Sequence, residues 1–206
     1  MKKLVLIVVL ITQFGTAQKA IEKTFRIKDL THLDLELDHV FTLEIKTLRT
    51  NEVKVKAVSE GEFASYFILD SDQEKNKLTL RSSVDFAFKD HNDKLSAHKV
   101  QAIKIEISLP QHLIVTLKSD IANLNLCGKY ESFTAQLTSG NCVLHNVRDK
   151  VKISTILGNI EAYVNFAKVE AQTRQGTLET EAITDGKTHY VLKSIKGNIK
   201  VKKTKE

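Results

Sequence analysis

The sequence has no tryptophan, one proline, two cysteines and only eight glycines among 206 residues. Two cysteines cannot staple a small disulfide scaffold, and so little proline and glycine excludes collagen-like and linker-like chains. Without tryptophan the usual aromatic platform for sugar stacking is missing, which leaves polar recognition along a strand face. Common catalytic signatures are missing too: there is no G-x-S-x-G, H-E-x-x-H, C-x-x-C, phosphate loop or dinucleotide fingerprint. Nowhere do apolar residues run for the ~20 positions that a membrane-spanning helix needs. Apolar residues are nonetheless 42% and charged residues 27%, so a core can form and global disorder is excluded.

The formal net charge is +6. Its lysines are scattered through alternating segments, as on a solvated strand face, and not gathered with aromatics into the stripe that nucleic acid requires. A mild positive excess suits acidic polymers or anionic headgroups instead. Lys2 and Lys3 precede an apolar run at 4–11, and Gly15-Thr16-Ala17 then places small residues before Gln18. That order predicts a secretory signal peptide over 1–17. An exported, periplasmic or cell-surface protein follows, without a lipid anchor, because no cysteine succeeds the cleavage point.

What is present is alternation. Asp120, Gly140, Gly158, Gly176 and Gly197 recur every 18 to 21 residues, and three of the glycines are followed by asparagine, at Asn141, Asn159 and Asn198. Aligned on these markers, apolar or small columns alternate with polar ones, for example Phe133, Val151, Val169 and Tyr190, or Cys142, Ile160, Leu178 and Ile199. Period two means strand, and a repeat this short cannot bury its own apolar row without a stacked neighbour. The expectation is an all-β chain: a single-stranded β-helix, or stacked β-solenoid, over 111–206. A leucine-rich repeat would need a helix or arc and its leucine signature, and neither is present.

The segments "LTSGNCVL", "STILGNIEA", "TRQGTLET" and "SIKGNIKV" behind a signal peptide resemble the adhesin-like families of bacterial β-helical coil proteins. The resemblance, one of pattern over roughly 100–203, implies the fold and carries no catalytic residue with it.

The first half alternates in shorter pieces: Leu33-x-Leu35-x-Leu37, Phe41-x-Leu43-x-Ile45, Val53-x-Val55-x-Ala57, Leu78-x-Leu80, and 103–109 before Pro110. Residues 18–110 are therefore expected to open and cap the same solenoid, the alternative being a small β-sandwich jointed at Pro110. Between 82 and 100 alternation lapses, and His91, Asp93 and His98 could hold a divalent ion there, although their spacing fits no recognised ligand motif. Such polar loops hold these residues by chance, and no metal or cofactor is expected.

The same register predicts the outward neighbours. Glu161 and Glu179 should occupy adjacent rungs ~4.8 Å apart, with His145, Tyr163 and Glu181 beside them and Lys200 and Lys202 on the next rung. Carboxylates about ~5 Å apart are the retaining-glycosidase arrangement. Glu179 facing Lys200 and Glu181 facing Lys202 would instead make ordinary cross-strand ion pairs. Cys127 is expected to stack over Val147 and not to pair with Cys142, leaving buried thiols. The lysines of the last coil (193, 196, 200, 202, 203 and 205) should repel a second copy at the open end, which favours a monomer. Together these features point to a non-enzymatic envelope module that binds a polysaccharide or a protein. A carbohydrate-active enzyme using Glu161 and Glu179 and a periplasmic accessory subunit are the competing expectations.

Overall fold

The computed structural model describes residues 18–60, 66–85 and 102–204. The expected signal peptide, the candidate ligands His91, Asp93 and His98, and Lys205 lie outside the described residues. No α-helix occurs among those described, and fifteen strands form one open, all-β sheet. In chain order they are β1 Gln18–Phe25, β2 His32–Leu37, β3 Thr42–Leu48, β4 Val53–Glu60, β5 Phe67–Glu74 and β6 Lys77–Val84. Then come β7 Ala102–Pro110, β8 Ile114–Ile121, β9 Asn123–Ser139, β10 Cys142–Leu157, β11 Ile160–Tyr163, β12 Phe166–Gln175, β13 Leu178–Thr180, β14 Thr184–Lys196 and β15 Ile199–Lys202.

The pairings sort these strands into two stacks. The first runs β1-β4-β7-β3-β9-β10-β11-β15-β13, and the second β5-β6-β2-β8-β9-β10-β14-β12. The long strands β9 and β10 belong to both. Their early residues pair in the first stack and their later residues in the second, with register shifts in β10 where Asn146 and Asp149 take positive φ. Neighbours are parallel except where β1, β4 and β7 meet and where β5 meets β6. Alternating side chains point inward from both stacks into one hydrophobic cluster that includes Leu35, Ile45, Ile105, Phe133, Ile153, Leu192 and Ile199. Two phenols are buried in it, the hydroxyl of Tyr130 donating to the Cys127 carbonyl and that of Tyr190 to the Val147 carbonyl.

Strand order is mixed where the repeat predicts a sequential ladder. The last coil, β14–β15, lies between β10–β11 and β12–β13. At the other end β2–β3 lies between β6–β7 and β8–β9. Side-chain size and charge account for the first exchange. The β14–β15 coil contributes Tyr190, Leu192, Ile199 and Val201, all fully buried, whereas β12–β13 offers Val169, Ala171, Thr173 and an exposed Leu178. Placing the larger apolar set inside removes more apolar surface from water. The exchange also sets Lys200 between Glu161 and Glu179, where sequential order would have opposed two carboxylates.

The corner joining the stacks is where backbones come closest. A Cβ on Gly140 would sit 2.0 Å from the Ala122 carbonyl oxygen, and one on Gly158 would sit 1.9 Å from that of Gly140. Gly197 would meet Gly158 at 2.0 Å and Gly176 would meet Gly197 at 2.1 Å, which repeats the exchanged order. Beside them the asparagine carboxamides form a chain: Asn123 Oδ1 accepts from Asn141 N, Asn141 from Asn159 N, Asn159 from Asn198 N, and Asn198 from Thr177 N. The residue beneath Gly140 is thus Ala122, so the marker expected at Asp120 is two places early. The error displaces that coil's partners: Leu137 pairs with Ser119, not Leu117, and Cys127 stacks on His145, not Val147.

Candidate functional site

Two outward surfaces bring polar side chains together. On the first stack the registers Val143↔Glu161↔Lys200↔Glu179 and Cys127↔His145↔Tyr163↔Lys202 make two parallel rows. Lys202 Nζ donates to Glu161 Oε1 at 2.6 Å and lies 5.7 Å from the Tyr163 ring centre, while Lys200 Nζ is 3.1 Å from Glu179 Oε2. The His145 ring stacks on Tyr163, centroids 5.3 Å apart and planes 3° off parallel. The Lys202 ammonium holds the Glu161 carboxyl below the usual carboxylate range. Tyr163, hydrogen-bonded to that carboxylate, is raised above the usual phenol value.

This overturns the expected adjacency of Glu161 and Glu179. With Lys200 interposed they are two rungs apart, ~9.6 Å at the backbone, so the retaining-glycosidase spacing is not met. The Glu179–Lys200 pair forms as expected, whereas Lys202 turns to Glu161 and the Glu181 carboxylate accepts the Lys203 amide at 2.8 Å. Both cysteines are free, Cys142 buried and Cys127 half-buried.

The second surface is a groove of about 700 Å³ on the outer side of the second stack. Its floor is one straight row, Lys118, Gln136, Ser154, Lys193 and Gln172, each the register partner of the next on β8, β9, β10, β14 and β12. Two residues nearer the corner lie Thr138, Ile156, Ile195 and Arg174. Asp38 and Asp120 close one end, but their carboxylates already accept backbone amides: Asp38 that of Asp120, and Asp120 those of His39 and Ile121. By contrast Lys118, Lys193 and Arg174 enter no ion pair among the described residues.

The sequence points to none of the groove residues as a ligand site: Lys193 is read as one of the repelling lysines of the last coil and Asp120 as a corner marker. The available signal was the outward column one place before Leu137, Thr155, Thr173 and Ser194, but its order depends on the coil exchange. Among the described residues no cluster of histidine, cysteine and carboxylate side chains suits a metal ion.

No family model and no curated protein matches this chain. Among solved structures, it is similar to a "putative cell adhesion protein" from Clostridium sporogenes, at 15% identity and a TM-score of 0.60, over 90% of this chain and 100% of the other. A "putative adhesin" from Bacteroides fragilis matches at 13% identity, over 90% and 97% of the two chains, with a TM-score of 0.38. What the Clostridium protein establishes for this chain is its fold.

Proposed function

We propose that the chain is a non-enzymatic, adhesin-like binding module of the bacterial cell envelope, exported to the periplasm or the cell surface. Its ligand is an acidic polysaccharide lying along the groove of the second stack. We read the two stacks as coils of a β-solenoid with Gly-Asn corners, the last two coils having exchanged places. The name of the structurally similar Clostridium protein is in keeping with this reading.

The observation that carries the proposal is the unpaired cation row. Lys118 and Lys193 stand three rungs apart, ~14 Å, with Gln136 and Ser154 between them and Arg174 one rung beyond. A polymer with acidic groups at regular intervals meets a charged donor at each end and amide or hydroxyl partners between. Charge-assisted bonds are about twice as strong as neutral ones. Ile156 and Ile195 offer an apolar strip to the C–H face of a sugar ring in place of the missing tryptophan. Strands β8, β9, β10 and β14, each paired on both sides, need little ordering on binding, which removes one of the usual costs of association.

Retention on immobilised acidic and neutral polysaccharides tests this, with release of new reducing ends followed in the same samples. The expected result is retention by the acidic polymers alone, weakened by salt and lost in Lys118→Glu and Lys193→Glu, without release. Retention that both reversals leave intact would remove the groove from the account. Release abolished by Glu161→Gln would replace binding with catalysis.

A further inference from the structure

The two ends of the molecule are built differently. At the first, β1 and β5 are the outer strands, and the half-buried side of β1 carries Lys19 and Lys23 together with Ile21 and Phe25. Lys23 Nζ donates to the Leu69 carbonyl at 2.6 Å and Lys19 Nζ to the Phe67 carbonyl at 3.0 Å, so ammonium groups reach from one stack to the other across that end. Inward-pointing charge of this kind keeps a sheet from accepting another strand.

The opposite end has no such closure among the described residues. There β12 pairs only with β14 and β13 only with β15, so each presents an unpaired edge. The core is uncovered too. Leu178 is 50% exposed, while Ile199 and Ile160 in the same column are 0% exposed, and Val169 and Ala171 are only partly buried. The lysine-rich coil that was expected to guard this end is one rung inside it, so its lysines do not lie on the edge strands.

We infer that this end is a self-association surface, on which two copies meet through antiparallel pairing of β12 with its counterpart, centred on Gln172. The charges along β12 select both occupant and register. Centred on Gln172, Glu170 faces Arg174 of the second copy, and the twofold axis repeats that ion pair. A centre at Ala171 would oppose Lys168 and Arg174 of the second copy, and opposite-charge pairs stabilise a ladder where like charges destabilise it. Arg174 has no ion pair of its own among the described residues, while the exposed Glu170 carboxylate, 3.1 Å from His189 and 3.6 Å from Lys168 through Oε1, would be shared with it. On the inner side Ala171 meets Thr173 of the second copy, and Leu178 gains cover. A symmetric contact uses one surface twice and closes at two copies. Head-to-tail growth is opposed by Lys19 and Lys23 at the other end. The groove floor also continues across the seam, Gln172 beside Gln172 of the second copy.

Sedimentation equilibrium over a concentration series tests the inference. The purified protein should approach twice the monomer mass and go no further. Val169→Lys, which puts at this end the device found at the other, should give a monomer. Glu170→Arg and Arg174→Glu should each weaken the dimer at least tenfold, and the double variant should restore it, which a folding defect would not do. Circular dichroism checks that each variant keeps its strands. A wild-type monomer at every concentration, masses growing past two, or a double variant as weak as the single ones would overturn the proposal.

Discussion

Replacing Gly158 by alanine adds one methyl group at the tightest point of the corner, and its cost can be worked from the contacts there. A Cβ on Gly158 would lie 1.9 Å from the Gly140 carbonyl oxygen, so the two rungs must part by at least ~1 Å before the overlap is relieved, and by more to reach ordinary contact. Three hydrogen bonds join these two rungs at that corner: Gly140 N to Leu157 O and Cys142 N to Asn159 O, each 2.9 Å, and Asn159 N to Asn141 Oδ1 at 3.0 Å. Adding ~1 Å takes them beyond the 2.7–3.2 Å range of a good N–H···O bond. At about 1 kcal/mol net for each bond, the loss is about 2–3 kcal/mol, which agrees with the usual cost of overpacking. Urea unfolding followed by circular dichroism should show a lower midpoint at unchanged slope, and Tm should fall by about 4–12 °C for a chain of this size. Asn159→Ala, which removes only the acceptor for Asn198 N, should cost about 1 kcal/mol. A Gly158→Ala protein within about 0.5 kcal/mol of the parent would refute the close backbone stacking.

In the column beside this corner, Ser194 Oγ donates to Gly158 O and Thr173 Oγ1 to Gly197 O, whereas the buried Thr155 Oγ1 has no partner among the described residues. Thr155→Val should therefore stabilise by about 1 kcal/mol and Ser194→Ala destabilise by a similar amount, read from the same urea curves. Burial pushes the Cys142 thiol up to about 12 and also raises Cys127, which is less enclosed. In native protein near pH 8 a disulfide reagent should modify Cys127 first and leave Cys142 untouched until denaturant is added; equal rates would contradict the burial. The Glu161 carboxyl is held low by Lys202, so what this pair adds to stability is complete above the ordinary carboxylate range and lost as pH falls through the lowered value. Glu161→Gln should flatten the acid limb of the stability curve slightly, since exposed pairs are worth little.

Much of the fold is legible in alternation. The segments around Leu33, Leu43, Val53, Leu78 and Ile103 all fall in strands, and the columns from Phe133 to Val201 contain the right members. Their order was not legible, because a repeat aligns residues without saying which coil lies beside which. The clue was in the charges: sequential stacking sets Glu161 against Glu179, and only the insertion of Lys200 relieves it. The period of the glycines points to Asp120 as a corner marker, whereas the true one is Ala122, which lies two residues later and is not a glycine. The groove was hidden for the same reason as the order. Gln172 and Lys193 are adjacent only once β14 stands between β10 and β12.

The exchanged coil order underlies the groove, the charged ladder and the open end alike, and a pair of cross-links tests it most directly. In a background without Cys127 and Cys142, cysteines at 161 and 200 occupy paired positions on β11 and β15. Those backbones are ~4.8 Å apart, within the 4.4–6.8 Å Cα range of a disulfide. Cysteines at 161 and 179 would be ~9.6 Å apart, beyond the ~7 Å limit. Under mild oxidation the 161–200 pair should close within a single chain of the native protein and the 161–179 pair should stay reduced, as measured by free-thiol titration and mass spectrometry of the linked peptides. Ready closure of 161–179 with 161–200 left open would restore the sequential order and dismantle the groove.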